Sequence, residues 1–416
     1  MRRGETGRTL YLNKCLAGTV LTAALLASAA FWCIGFAMNP NGRQRNAAVA
    51  DFLMDYVPPR AMAGRADAYT APGAPDGVLS RDRVYPPLCY DAMRVFPSDL
   101  RVGGMVFALF SSAIFVLAFA ALVRSTGASP LRTAALSVVA ALSAPLIASA
   151  ANANMISLAA AGVMLWAAWR DSPSAWRRGA AIAALALAAT MKITPGVFAL
   201  CYLKERRWRE FATFAIVAAA AFLVPFAWYG GVDGFLGWLA NARENASFYS
   251  SKGAWGAVPI DRTIRVLGGM SAYDTFDWPT LGVSRAVNVA AGLLCLLAAA
   301  IGRGGRAGHS AERPREDAHA TLLLLCGAIL LIPGNMHFYT GLYLFAPFAL
   351  WIGARETSAP RLAEILAAVC WFLIIGPFQI PLGPGCLNRP LANLAFLGLL
   401  ATAAMLKLRR APSPSV

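Results

Sequence analysis

Two carboxylates stand four positions apart in the stretch Asn46-Ala-Ala-Val-Ala-Asp51-Phe-Leu-Met-Asp55-Tyr56, directly after the first long apolar run of the chain. On a helix that spacing puts Asp51 and Asp55 on one face. The residues between them are apolar, so the segment is expected near a membrane plane. A carboxylate there is partly desolvated and can accept a proton from a hydroxyl. The plainer alternative is a water-facing interfacial helix. Tyr56, Tyr69 and the Tyr85-Pro86-Pro87 turn belong to the same polar loop. Lys192 is a second candidate. It interrupts an apolar stretch beside the helix-breaking Pro195 and Gly196. A charge at such a place is costly unless it serves a site, and irregular backbone there must be buried in protein or line a wet cavity. A cation beside a broken helix suits a phosphate, with Arg262 and His337 as further donors. Asn152 and Asn154, between two apolar runs, can hydrogen-bond a sugar or phosphate, or simply make a turn.

The elements that must hold these residues are membrane helices. The chain has 416 residues, 58% of them hydrophobic and 14% charged, with a mean hydropathy of +0.55. Apolar runs of roughly 15–22 residues recur, about the length that crosses the hydrocarbon core. The expected class is an all-α polytopic membrane protein in one integral domain, residues 1–416. Ten-residue units of alternating polarity, the mark of an outer-membrane barrel, are absent. The net charge of +16 is expected to reflect basic cytoplasmic loops rather than nucleic acid. The N-terminal run, about 15–37, is longer than a signal-peptide core and lacks a clean cleavage site, so it is expected to stay as the first span.

Further spans are expected near 102–123, 133–149, 155–169, 179–203, 210–228, 286–302, 319–333, 339–353, 362–379 and 391–406. If 179–203 makes two short passes bent at Lys192–Gly196, every short basic loop falls in the cytoplasm: 124–132, 170–178, 204–209, 303–315, 355–361 and 407–410. The two long polar loops, about 38–101 and 229–284, then lie outside, with about 12 passes in all. As a single span, 179–203 would put basic loops on both sides. Of the eight cysteines, Cys89 and Cys386 fall in external segments. They can pair if that face is oxidising, with two free thiols as the alternative. No Cys/His spacing for a metal is present, and no glycine-rich phosphate loop favours a nucleotide donor.

The order Asp51-Phe52-x-x-x-Tyr56, Ala68-Tyr69, Tyr85-Pro86-Pro87-Leu88, Asn152-x-Asn154, Lys192-x-x-Pro195 before Arg206-Arg207-Trp208-Arg209, Asn245-x-Ser247 and a histidine at an external turn resembles glycosyltransferase family 87. These are polyprenyl-phosphate-mannose-dependent mannosyltransferases and relatives of the C-type membrane superfamily. The resemblance spans roughly residues 45–350. It implies a C-type fold and an inverting hexosyltransferase of the cell membrane, with its site on the extracytoplasmic side and no cofactor. Mannose is the first candidate sugar, and a glycan or glycolipid the acceptor. Asp51 would be the base, and Asp55, Tyr56, Tyr85, Asn152, Asn154, Lys192, Arg262 and His337 would contact substrate. The chain departs from the family at Asp55-Tyr56, where two aromatics are usual, at Ala151, where Gly-Gln often precedes the first Asn, and at Met336-His337, where paired histidines are usual. Two other readings stay open. A transporter or flippase would show internal repeats. A lipid-linked oligosaccharide ligase or polymerase would rely on external arginines such as Arg243, Arg262 and Arg265.

Overall fold

The computed structural model describes residues 66–70, 84–252, 278–301, 313–332, 338–353, 362–376, 381–382, 385–386 and 388–409. Within the described residues, the apolar segments expected beyond residue 100 are helical, with a break at 192–193. In order they are α1 (Pro87–Met93), α2 (Leu100–Ser125), α3 (Pro130–Ala141), α4 (Ala144–Ala151), α5 (Ile156–Trp169), α6 (Ala175–Met191) and α7 (Leu200–Lys204). Then come α8 (Trp208–Leu223), α9 (Gly231–Lys252), α10 (Trp278–Ala300), α11 (Arg313–Leu331), α12 (Phe345–Gly353), α13 (Leu362–Ile375) and α14 (Asn388–Arg409). Short 3-10 turns precede α7, α9 and α12. The described strand content is one two-residue antiparallel pair, with Pro381 opposite Cys386. The expected first span, 15–37, lies outside the described residues.

Local sequence sets the ends of these helices. Asp99 caps α2, its Oδ1 accepting from the Val102 amide at 2.8 Å, and Gly127 leaves the helix at φ +90°, a conformation glycine adopts without strain. Ser129 and Pro130 start α3, with Ser129 Oγ accepting from the Arg132 amide. The run expected as one span at 133–149 is bent by 56° between α3 and α4, where Ser143 and Pro145 restart the helix. Among the described residues, Val102–Ser125, Trp208–Trp228 and Leu391–Leu408 are each long and apolar enough to cross a membrane, and the bent α3–α4 pair makes a fourth if it is one span. The other apolar stretches, Ile156–Trp169, Ala286–Ala300, Asp317–Leu331, Thr340–Ile352 and Glu364–Ile375, run 10–17 residues. The segment after Gly230, expected as polar loop, is helical as far as Lys252.

The larger of two buried apolar clusters is shared by α2, α5, α6, α11, α12 and α14, and a smaller one lies around Tyr69 and Tyr85. Close approach depends on small residues. A Cβ at Gly162 of α5 would sit 2.6 Å from the Ala184 carbonyl and 2.9 Å from the Ala188 Cβ of α6, the kind of contact that drives helix association in lipid.

The basic loops meet on one face. Arg170 pairs with Glu205 at 2.5 Å, and Arg207 pairs with Asp171 at 2.6 Å and Glu210 at 3.0 Å. Behind them Trp166 Nε1 donates to Tyr202 Oη at 2.9 Å. Burial disfavours the charge of Arg207, but the Glu210 and Asp171 carboxylates outweigh it and hold its pKa above the usual value. On the same face Lys204 Nζ donates to the Ala299 carbonyl at 2.9 Å and meets Asp317 at 3.5 Å. Lys407 also bonds Asp317, and Arg132 donates to the Ile352 carbonyl at 2.5 Å.

This arrangement fixes the path of 175–204. The chain leaves the basic face in α6, whose 17 residues cover roughly 25 Å. It turns at Lys192 and comes back through Thr194–Lys204, so that Glu205 and Arg207 meet Arg170 and Asp171. That path is a hairpin, the shape that two short passes would require. It also places Lys192 at the far end of α6. A cysteine at Ser172 and one at Arg206, introduced separately, are therefore expected to react with an impermeant maleimide from the same side of the membrane. Reaction from opposite sides would contradict the hairpin.

Candidate active site

Opposite the basic face, Lys192 ends α6 with extended backbone, φ −144° and ψ 103°. Pro195 follows in the next turn; its ring and missing N–H stop α6 from continuing. Lys192 Nζ donates to Tyr85 Oη at 2.6 Å and lies 4.6 Å from the centre of the same ring, within cation–π range. Two residues singled out from sequence, separated by 107 positions, are thus in direct contact. Ile193 beside them is 64% exposed, so the turn is open on one side.

Tyr85 is fixed from several directions. Tyr69 Oη donates to the Tyr85 carbonyl at 2.6 Å. Trp238 Nε1, from α9, donates to the Val84 carbonyl at 2.8 Å, and Asn241 donates to the Tyr69 carbonyl at 3.3 Å. On α1, Asp91 accepts from Tyr229 Oη at 2.9 Å and from Trp228 Nε1 at 3.2 Å. The rings of Tyr69, Tyr90, Phe226 and Tyr229 lie together. At Gly230, φ +90° and a Cβ position only 2.3 Å from the Ala66 carbonyl leave room for glycine alone. The described parts of the two long polar loops therefore form one unit around Tyr85.

Cys89, in α1, is a buried free thiol. Burial pushes it up to about 12, with the Lys192 charge pulling the other way. Tyr69 is pushed well above its usual range by burial. These neutral groups make an apolar wall in which the Lys192 charge acts over short distances with little screening.

Asn152 and Asn154 close the turn between α4 and α5. Asn152 Nδ2 donates to the Ala148 carbonyl at 2.8 Å, Ala153 takes a left-handed φ of 49°, and the buried Asn154 accepts from the Ile156 amide at 2.9 Å. Both amides thus have turn-making partners. The turn still belongs to the site's surroundings, because Ala150, Ala153 and Met155 share one buried cluster with Tyr69, Tyr85 and Cys89. The chain that resumes at Phe338 packs against α4, with a Cβ position at Gly341 3.8 Å from Pro145. Asp51, Asp55, Tyr56, Arg262 and His337 lie outside the described residues. Among those described, no group of three His, Cys, Asp or Glu residues could hold a metal.

Asp91, Trp228, Tyr229 and Trp238 were not anticipated from sequence. Asp91→Ala removes the acceptor shared by Tyr229 and Trp228. It is expected to cost roughly 1–3 kcal/mol of stability, read as a lower unfolding midpoint of the purified protein. A midpoint equal to wild type would show that the Asp91 bonds do not hold the loops.

These features define a helical membrane protein with a cation at a helix break, framed by two polar loops. The sequence model of glycosyltransferase family 87 matches residues 84–334, more than half of the chain and all of the Tyr85–Lys192 site. The chain belongs to that family and is a membrane glycosyltransferase. No curated relative and no solved structure matches it.

Proposed function

We propose that this protein is an inverting hexosyltransferase taking its sugar, mannose foremost, from a polyprenyl-phosphate donor and passing it to a glycan or glycolipid on the extracytoplasmic side of the cell membrane. The observation that carries the reading is the Lys192–Tyr85 pair. It places a cation at a helix break, at the far end of α6 from the basic loops and beside an exposed apolar residue. A lipid phosphate needs such a place: charge for its oxygens, and an edge open to lipid for its chain.

In this reading Asp51 takes the proton of the acceptor hydroxyl. The acceptor oxygen forms its bond to the sugar C1 while the bond from C1 to the phosphate oxygen breaks on the opposite face. Lys192 neutralises charge on the departing phosphate, with Arg262 and His337 as further donors. Asp55 orients Asp51 or contacts sugar hydroxyls, and Tyr56, Tyr85, Asn152 and Asn154 line the sugar. Tyr85 holds the Lys192 ammonium until phosphate competes for it. Family membership favours group transfer over transport.

The donor class is tested by ligand protection. Polyprenyl phosphate is expected to raise the unfolding midpoint of the purified protein, the dephosphorylated polyprenol is not, and Lys192→Met is expected to abolish the difference. Equal effects of alcohol and phosphate on the wild type would remove the phosphate site.

A further inference from the structure

The basic face sorts its arginines into two groups. Arg170, Arg178 and Arg207 turn inward: Arg170 and Arg207 pair with Asp171, Glu205 and Glu210, and Arg178 donates to the Ser172 and Pro173 carbonyls and adds its charge beside Glu210, so that three inward arginines balance three carboxylates. Arg177, Arg206 and Arg209 are exposed and make no ion pair with a described residue. The nearby carboxylates are thus already matched, and these three charges are in surplus. Next to them in the chain stand two large exposed rings, Trp176 at 80% and Trp208 at 63%. Trp176 is in the first turn of α6 and Trp208 in the first turn of α8. These two helices pack together and run inward from the same face.

The depth of this ledge follows from α8. Trp208 is the first residue of the span Trp208–Trp228, and only 17% of that span is buried within the protein. The helix therefore presents most of its surface to lipid, and its first turn sits where headgroups begin. Tryptophan favours that level. Guanidinium forks match phosphate oxygens, and each basic group near an anionic membrane surface is worth about a fivefold preference.

We propose that Trp176, Arg177, Arg206, Trp208 and Arg209 form a docking ledge for anionic phospholipid headgroups in the leaflet that the basic loops face. The ledge is separate from the Lys192 site, and the proposal does not depend on which sugar is transferred. The indole rings set the depth, and the three surplus arginines select phosphodiester headgroups that carry no compensating ammonium.

The test uses the full-length protein in vesicles of phosphatidylcholine, alone or mixed with phosphatidylglycerol, with one or the other lipid brominated in its acyl chains. The signal of Trp176 and Trp208 is the difference between the wild type and the Trp176→Phe/Trp208→Phe variant. Brominated phosphatidylglycerol is expected to quench that signal several-fold more than brominated phosphatidylcholine at equal mole fraction. Salt should weaken the preference, because surface charge is screened. An Arg177→Gln/Arg206→Gln/Arg209→Gln variant should lose it, whereas the corresponding triple Lys variant should keep most of it. Equal quenching by the two lipids in the wild type overturns the proposal. So does a preference that persists in the triple Gln variant.

Discussion

Asp51→Asn is expected to lower sugar transfer by at least about 10²–10⁴-fold, the range that a positioned general base contributes. Asparagine keeps the shape of the side chain and part of its hydrogen bonding, but it cannot take a proton. Expression, membrane insertion and protection by polyprenyl phosphate should stay close to wild type, because the base acts on the acceptor and not on the donor phosphate. Asp55→Asn should be milder. The measurement is single-turnover transfer from a polyprenyl-phosphate sugar by the purified protein. Near-normal transfer by Asp51→Asn with an inactive Asp55→Asn would move the base to Asp55. Normal transfer by both would take this pair out of the chemistry.

Lys192→Met should have the second large effect, a loss of about 10²–10³-fold in turnover, as for removal of one group that stabilises developing charge. Methionine keeps most of the side chain's length and apolar contact, so α6 and its turn should persist. The Tyr85 hydroxyl loses its 2.6 Å donor, and the ring loses the cation beside it. Lys192→Arg separates charge from geometry. A guanidinium keeps the charge but is planar and bulkier than the compact ammonium, so partial activity is expected. If Lys192→Met turns over at the wild-type rate, the lysine only holds Tyr85 in place.

The hairpin at Lys192 was readable because two independent signals agree there. Pro195-Gly196 breaks the helix, and the basic residues at 170–178 and 204–209 demand the same side. The Arg170–Glu205 and Arg207–Asp171 pairs satisfy that demand directly. The bend between α3 and α4 was missed because the apolar run from Ala134 to Ala151 is nearly continuous, and hydropathy does not register what Ser143 and Pro145 do to the backbone. The turn-making use of Asn152 and Asn154 is local and was legible as one alternative. The Asp91 contacts were not, because Trp228 and Tyr229 lie 137 and 138 positions away. Trp238 meets Val84 across 154 positions. No spacing rule reaches that far. The helix after Gly230 was hidden by its polar composition, which reads as loop although Gly237, Trp238 and Asn241 meet Tyr69 and Val84.

The lysine contact and the loop clamp answer different questions. Asp91, Trp238 and Tyr69 explain why Tyr85 is where it is. Tyr85 and the break at Pro195 explain why Lys192 points to the face opposite the basic loops. Asp91→Ala should therefore lower stability first, and it should lower transfer only as far as Tyr85 moves. Lys192→Met should lower transfer with stability largely kept. That split separates a frame residue from a substrate-facing one.

The most direct measurement is the donor and stereochemistry of a single turnover by the purified protein. A sugar on polyprenyl phosphate and the same sugar on a nucleotide diphosphate are offered in parallel, and the anomeric configuration of the product is read by nuclear magnetic resonance. The expected result is transfer from the polyprenyl-phosphate sugar only, with the configuration at C1 inverted relative to that donor. Transfer from the nucleotide donor, or a product that retains the configuration of the lipid donor, would contradict the reading of Lys192 and Asp51.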